Sequence, residues 1–426
     1  MKKLLFLVLA LIMIFGASGC TQSVSADEVK SDKPRVTSPV VSTSDMDTLV
    51  NGNSEFAWEL YQVLKEEDGN LFYSPHSISL ALAMTYAGAK GETARQMADT
   101  MHYLLSQNAL HPAFNKLALE LAKRGEGAQG KDEKGFRLNI VNAIWGQKDY
   151  KFLSSFLDLL AENYGAGLRV LDFMNDPNAS RETINQWVSD QTEGRIKDLI
   201  PEGSITPLTR LVLTNAIYFN AAWLSPFEEG ATDPNGTFHL ADGTSVTIPM
   251  MRNTESYGYM KSGNTLAVEL PYDGFELSMV IMTNTTGNFS DFENALTFPS
   301  VEAILDELQY TQVALTMPKF EFESQFGLKE ALQSMGMVIP FTPGEADFTG
   351  ISTAEALQID DVIHKAFVSV DEAGTEAAAA TAVIVGTTSM PAEPVTVTLD
   401  QPFVFLIRDI QTGAILFIGR VMNPAE

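Results

Sequence analysis

The pattern of hydrophobic and polar positions divides the chain into a helix-rich first half and a strand-rich second half. Apolar residues recur at helical spacing over 56–64, and the nearly continuous apolar run over 78–86 predicts a buried helix. Short runs of β-branched and aromatic residues predict strands at 138–144, 211–219, 266–270, 277–282, 312–317, 364–370 and 395–399. A hairpin of 403–407 and 414–420, turned at 409–413, closes the chain. This order of elements predicts an α+β fold.

The N-terminal segment reads as an export signal followed by a tether. Two lysines precede an apolar stretch over 4–15, and small residues lie just before Cys20, so residues 1–19 are interpreted as a signal peptide. The Gly19-Cys20 ending resembles a bacterial lipoprotein signal, in which the cysteine is lipidated. Ala17 stands where that motif usually has Leu, so ordinary secretion is the alternative. Residues 20–50 lack aromatic side chains and are predicted to be a flexible tether.

Charge and motif content exclude several classes of function. The chain carries 28 basic and 54 acidic residues, and a net charge of -26 argues against nucleic acid as a partner. The glycine-rich stretch 125–130 has the letters of a dinucleotide motif, but polar segments flank it where a strand and a helix are needed. The five histidines show no metal-ligand spacing, and no nucleophile elbow occurs. We therefore expect no metal, no cofactor and no enzymatic activity.

A series of sequence blocks resembles the serpins, in the order that family has. The blocks occupy residues 70–84, 88–93, 184–188, 192–196, 213–220, 317–320, 364–372, 402–407 and 419–421. The resemblance covers about residues 53–424, so the domain is taken as 51–426. It implies three β-sheets, eight or nine helices, and an exposed reactive-centre loop over about 372–401. It also implies a monomer that traps a serine protease covalently by inserting its cleaved loop into the main sheet.

The alanine-rich segment 372–388 carries the expected mechanism. Side chains alternate along an inserted strand, and one alternating set is small or β-branched and uncharged. This set is Thr375, Ala377, Ala379, Thr381, Val383 and Val385. By resemblance, Glu372 and Gly374 form the hinge together with the members of this set up to Thr381. The reactive bond follows fourteen residues after the hinge glycine, between Thr388 and Ser389. Because Thr388 and its alternatives Val385 and Met390 are uncharged, an elastase-like or subtilisin-like target is expected rather than a trypsin-like one.

The resemblance also assigns a gate to the main sheet. Its residues are Ser77, Asn215, Trp223, Lys319 and His364. Lys319 is expected to pair with Glu372, while Ser77, Asn215 and His364 are expected to form one polar cluster. A histidine in a strand is more often a satisfied core residue, and the joint occurrence of three partners favours the gate. A non-inhibitory serpin-fold binding or chaperone-like protein is the competing interpretation.

Overall fold

Nine α-helices lie in the part of the chain that this computed structural model describes, residues 26–129, 136–354, 356–375 and 393–426. They are α1 (Thr43–Leu64), α2 (Pro75–Tyr86), α3 (Gly91–Thr100), α4 (Gln107–Leu121), α5 (Ser154–Tyr164), α6 (Pro177–Gln191), α7 (Phe289–Asn294), α8 (Phe298–Asp306) and α9 (Lys329–Ser334). Helix α2 begins at Pro75 because the Ser74 hydroxyl accepts a hydrogen bond from the Ser77 N–H. Within the described ranges, no helix combines the length and apolar character needed to cross a membrane.

Sixteen β-strands and two short 3-10 helices, Glu229–Ala231 and Ile339–Phe341, complete the described structure. The strands are β1 (Asp27–Val29), β2 (Leu71–Tyr73), β3 (Arg137–Gln147), β4 (Leu168–Leu171), β5 (Leu211–Ala222), β6 (Asp233–His239), β7 (Ser245–Ser262), β8 (Thr265–Pro271), β9 (Leu277–Asn284), β10 (Gln309–Pro318), β11 (Phe320–Gly327), β12 (Val362–Val370), β13 (Gly374–Thr375), β14 (Val395–Thr398), β15 (Phe403–Asp409) and β16 (Ile415–Val421). Every strand candidate of the sequence overlaps one of them, and the α+β class is confirmed.

The strands form a seven-stranded and a nine-stranded sheet. The first has the order β1-β4-β3-β5-β13-β12-β11, and the second has β14-β10-β7-β8-β9-β15-β16-β2 with β6 on β7. The resemblance implied three sheets. Here strand β7 pairs with β6 over 245–250, with β10 over 250–259 and with β8 over 258–262, so its length joins two expected sheets into one hydrogen-bonded unit.

The seven-stranded sheet is buried on both faces at its centre. Residues of β3 and β5 alternate, with Ile144 and Leu213 in the main core and Trp145 and Val212 in a second cluster beneath α6. Two contacts hold the segment after α6 across the sheet: the Lys365 ammonium donates to the Lys197 carbonyl, and the Gln325 amide to the Leu199 carbonyl. A strand that enters between β5 and β12 must therefore pass under this cover.

The expected tether over 20–50 is wrong for its described part. Strand β1 pairs antiparallel with β4 at the edge of the seven-stranded sheet, and α1 already begins at Thr43. Between them, the Lys33 ammonium lies 3.0 Å from Glu162 Oε1, and the Arg35 guanidinium donates to Asn115 Oδ1 at 2.8 Å. The polar composition of this segment was misleading, because a strand can pair with an open sheet edge through backbone hydrogen bonds that need no apolar side chain.

Candidate functional site

The central strands of the seven-stranded sheet are closed at one end and parted at the other. Strands β5 and β12 pair directly and in parallel, with Val362–Ala366 against Leu213–Ile217. Above this stretch the two-residue strand β13 lies between them, antiparallel to both. Its register places Gly374 opposite Ala222 and Thr375 opposite Ala221. The chain that leads into the loop thus already occupies the top of the gap.

Gly374 fits this gap only because it has no side chain. A Cβ at this position would lie 2.2 Å from the Ala221 carbonyl oxygen and 2.7 Å from the Ala222 Cα. Both are backbone atoms of β5, which cannot move aside as the end of a side chain can. The glycine therefore permits the close approach of two backbones that seats β13 in the sheet.

Residues 372–375, the described part of the expected hinge and called the hinge below, are held by side chains next to strand ends: Lys319 lies between β10 and β11, and Thr232 just before β6. Lys319 Nζ lies 2.6 Å from Glu372 Oε2, and the Thr232 hydroxyl donates to Glu372 Oε1 at 2.7 Å. Burial raises the pKa of Glu372, but the hydrogen bonds from Lys319 and Thr232 outweigh it and hold the pKa below its usual value. The expected Lys319–Glu372 pair is therefore present in the structure.

Trp223 ties the backbone of the hinge to the end of β5. Its indole N–H donates to the Asp371 carbonyl at 3.0 Å, and its backbone N–H donates to the Ala373 carbonyl at 2.9 Å. Its ring stacks on Tyr272, with centroids 4.7 Å apart and planes 10° apart. The Tyr272 hydroxyl lies 2.9 Å from Thr375 Oγ1. Tyr272 was missed from the sequence, because nothing in its strand pattern distinguishes it from a core aromatic.

The expected polar cluster of Ser77, Asn215 and His364 forms at the closed part of the same strands. His364 Nδ1 contacts Asn215 Oδ1, and the Asn215 amide donates to Ser77 Oγ at 2.7 Å. The Ser74 N–H donates to His364 Nε2, so that nitrogen accepts and the ring proton lies on Nδ1. Burial lowers the pKa of His364 to about 3, which keeps the ring neutral.

Asn142 extends this cluster across a third strand. It lies on β3 opposite Asn215, which in turn lies opposite His364 of β12. Asn142 Oδ1 accepts from the Asn215 amide at 2.6 Å and from Ser77 Oγ at 3.1 Å. A strand inserted between β5 and β12 would separate them by about 4.8 Å and break the His364–Asn215 contact. The cluster therefore stabilises the closed arrangement.

Several sequence-predicted residues lie outside the described residues. They are Cys20, Ala377, Ala379, Thr381, Val383, Val385, Thr388, Ser389 and Met390. Among the residues that are described, no group of three or more His, Cys, Asp or Glu side chains could hold a metal ion.

Comparison with known proteins decides the family. The family model described as serpin (serine protease inhibitor) matches residues 51–424. The chain belongs to the serpin family. It is 39% identical over 442 residues to an uncharacterized serpin-like protein of Thermococcus kodakarensis, covering 100% of both chains. It is 37% identical over 391 residues to the human leukocyte elastase inhibitor, covering 89% of this chain and 100% of that protein.

Two solved structures agree with the fold described above. The thermophilic serpin tengpin in its native state superposes with a TM-score of 0.80 at 28% identity, covering 94% of this chain and 100% of tengpin. Thyroxine-binding globulin in complex with thyroxine superposes with a TM-score of 0.77 at 29% identity, covering 89% and 100% of the two chains. Serpins are protease inhibitors rather than enzymes, so no catalytic residues are assigned to this chain.

Proposed function

We propose that this serpin is a suicide inhibitor of serine proteases. A protease attacks the Thr388 carbonyl carbon with its serine hydroxyl, the Thr388–Ser389 bond breaks, and an ester joins Thr388 to the protease. The new amine of Ser389 leaves with a proton. The loop then enters the seven-stranded sheet between β5 and β12 and carries the attached protease with it before water can hydrolyse the ester.

One observation carries this proposal: in the described part of the chain, Gly374 and Thr375 already lie between β5 and β12, where these two strands part. Gly374 and Thr375 form ladder pairs with β5 and β12, antiparallel to both, so the following residues need only continue the same strand downward. Thr375 is 3% exposed and the residues that alternate with it, Ala377, Ala379 and Thr381, are small and uncharged. Fourteen inserted residues would move the scissile end by about 45 Å.

The sequence of the loop supports an elastase-like or subtilisin-like target. Thr388 fits a small, apolar primary pocket and cannot form the ion pair that a trypsin-like pocket requires. The named relative at 37% identity, the leukocyte elastase inhibitor, is consistent with this choice.

The test is incubation with pancreatic elastase, subtilisin and trypsin, followed by denaturing gel electrophoresis. We expect elastase or subtilisin to form a denaturant-resistant band at the protease mass plus that of the inhibitor, which is 46.5 kDa for all 426 residues, less the signal segment and the released fragment. Mass spectrometry should identify that fragment as the 38 residues 389–426. Cleavage with complete protease turnover and no covalent band would refute the proposal.

A pair of arginine variants links trapping to insertion. Thr375→Arg places a charge at a buried position of β13, whereas Thr396→Arg places the same charge at an exposed position of β14. Because burying an unpaired charge costs several kcal/mol, we expect the first variant to be cleaved without trapping. The second should trap as the wild type does. Equal trapping by both variants would contradict insertion of this strand.

The competing function is a non-inhibitory binding or chaperone-like role. Thyroxine-binding globulin, one of the similar structures, shows that the fold is found with a bound small molecule. Here one open cavity between α8 and strands β7 and β8 measures about 240 Å³, and another between α4 and α5 measures about 310 Å³. Both lie at or below the lower end of the range of roughly 300–1,000 Å³ for ligand sites. The small, uncharged side chains of the alternating set Thr375, Ala377, Ala379 and Thr381 also favour inhibition.

We further propose that the protein acts outside the cytoplasm. The support is the signal-like segment 1–19 and Cys20, whose lipidation would anchor the body to the outer face of the membrane. Membrane fractionation of the wild type and of Cys20→Ala tests this. Release of only the variant into the soluble fraction supports anchoring, and equal release of both contradicts it.

A further inference from the structure

Tyr272 lies directly against Thr375, the second residue of β13. Its hydroxyl is 2.9 Å from Thr375 Oγ1, and the two side chains are 0% and 3% exposed. Among the described residues, Thr375 is the only hydrogen-bond partner of that hydroxyl. A buried phenol that loses its partner is destabilised by the desolvation it has already undergone. The Tyr272 hydroxyl therefore has its hydrogen bond only while Thr375 occupies its place between β5 and β12.

The ring of Tyr272 is fixed from two sides and cannot follow Thr375. It stacks on Trp223, the residue that follows β5, with centroids 4.7 Å apart, and meets Phe219 of β5 edge-on at 5.1 Å. Its backbone N–H donates to the Leu277 carbonyl at 2.9 Å, which anchors it in the nine-stranded sheet. The hinge is thus bonded to a rigid point outside the sheet that it enters.

We infer that Tyr272 is a positioning residue that keeps Gly374 and Thr375 seated between β5 and β12. It fixes the register in which the loop strand begins, because Thr375 can reach the hydroxyl from one ladder position only. It also opposes complete withdrawal of the hinge. The consequence for trapping rests on the proposed function: a seated hinge lets insertion start at once, so less of the ester is hydrolysed before the protease is distorted.

The first measurement is the rate at which the chain is cleaved just after the hinge, and it does not depend on inhibition of any protease. A glutamate-specific endoprotease that cuts after Glu376, the residue next to Thr375, releases residues 377–426, a fragment of 50 residues identified by mass. We expect Tyr272→Phe, which keeps the ring and removes only the hydroxyl, to raise this cleavage rate roughly tenfold. This is the change in the equilibrium between seated and unseated hinge that the loss of about one buried hydrogen bond produces. Thr375→Val should raise it equally, and the double variant should add nothing further.

Tyr103→Phe is the matched control for loss of a buried phenol. Its hydroxyl donates to the Ser79 carbonyl at 2.6 Å, between α2 and the segment before α4, with no contact to the hinge. This variant should melt at a lower temperature while its cleavage after Glu376 stays at the wild-type rate. An equal rise of cleavage in Tyr103→Phe and Tyr272→Phe would reveal general destabilisation and overturn the inference.

The second measurement is the number of inhibitor molecules consumed for each protease trapped. We expect this number to rise at least twofold in Tyr272→Phe and to stay at the wild-type value in Tyr103→Phe. If Tyr272→Phe and Thr375→Val both leave the cleavage rate unchanged, the inference fails even when the wild type inhibits. If both raise the rate but the wild type traps no protease, the positioning role is supported and the proposed function fails.

Discussion

Replacing Gly374 by alanine tests whether the seated hinge is needed for trapping. The new Cβ would lie 2.2 Å from the Ala221 carbonyl oxygen, 2.7 Å from the Ala222 Cα and 3.0 Å from the Trp223 nitrogen. Ordinary contacts begin near 3.5 Å, so β13 must move by about 1 Å or leave the sheet. All three atoms are backbone, and Ala222 is itself held by hydrogen bonds from its N–H to the Gln129 carbonyl and from the Asp273 N–H to its carbonyl.

The magnitude follows from the usual cost of overpacking a well-packed site. A value of about 2 kcal/mol shifts the ratio of seated to unseated hinge by roughly 30-fold. The same collision recurs in the fully inserted strand, so insertion after cleavage is also slowed. We therefore expect Gly374→Ala to be cleaved at the reactive bond at least as fast as the wild type while forming much less covalent complex.

The assay measures covalent complex and cleaved inhibitor on the same denaturing gel over a range of inhibitor-to-protease ratios. Gly230→Ala is the matched control, since a Cβ there would meet no atom within 4 Å and its backbone is not in the left-handed region. The reasoning is refuted if Gly374→Ala forms as much complex per molecule cleaved as the wild type and Gly230→Ala do.

Three further outcomes are expected. Burial lowers the pKa of His364 to about 3 and of His76 and His111 to about 4, so on acidification the unfolded chain takes up these protons before the folded protein does. The free energy of unfolding should therefore be highest above pH 6.5 and fall toward pH 4, and an equal melting temperature at pH 7.5 and 5 would contradict this. Glu372→Lys replaces the ion pair with Lys319 by repulsion and should lower the melting temperature by about 2 °C and promote polymers on mild heating, seen on native gels; a monomer like the wild type would count against it. The loop-cleaved protein should melt well above the intact one, because the inserted strand adds ladder hydrogen bonds and buried side chains, and an unchanged melting scan would exclude insertion.

Much of the fold was predictable because its strands carry clear signals. The buried runs of β5, β9, β12 and β15 are nearly continuous in apolar residues, and each was expected within a few positions of its real ends. Strand β7 was not predicted, because buried and exposed residues do not alternate regularly along its 18 residues.

The site was predictable where family motifs name residues and unpredictable where contacts come from separate sheets. The pairs Lys319–Glu372 and Asn215–His364 were expected, and the structure brings both together. Asn142 and Tyr272 were not, because a polar residue in a strand and an aromatic at a strand end are both ordinary features. Only the register of the sheet shows what each one faces.

The pairing of β1 with β4 changes how an anchored form of this protein would behave. Seven peptide steps separate Cys20 from Asp27, the first residue of β1, and they span at most about 25 Å. With a lipid on Cys20, as proposed above, this short connection would hold the β1–β4 edge of the sheet near the bilayer and restrict rotation of the domain. Such a molecule would meet proteases that reach the cell surface and leave those in the bulk medium untouched.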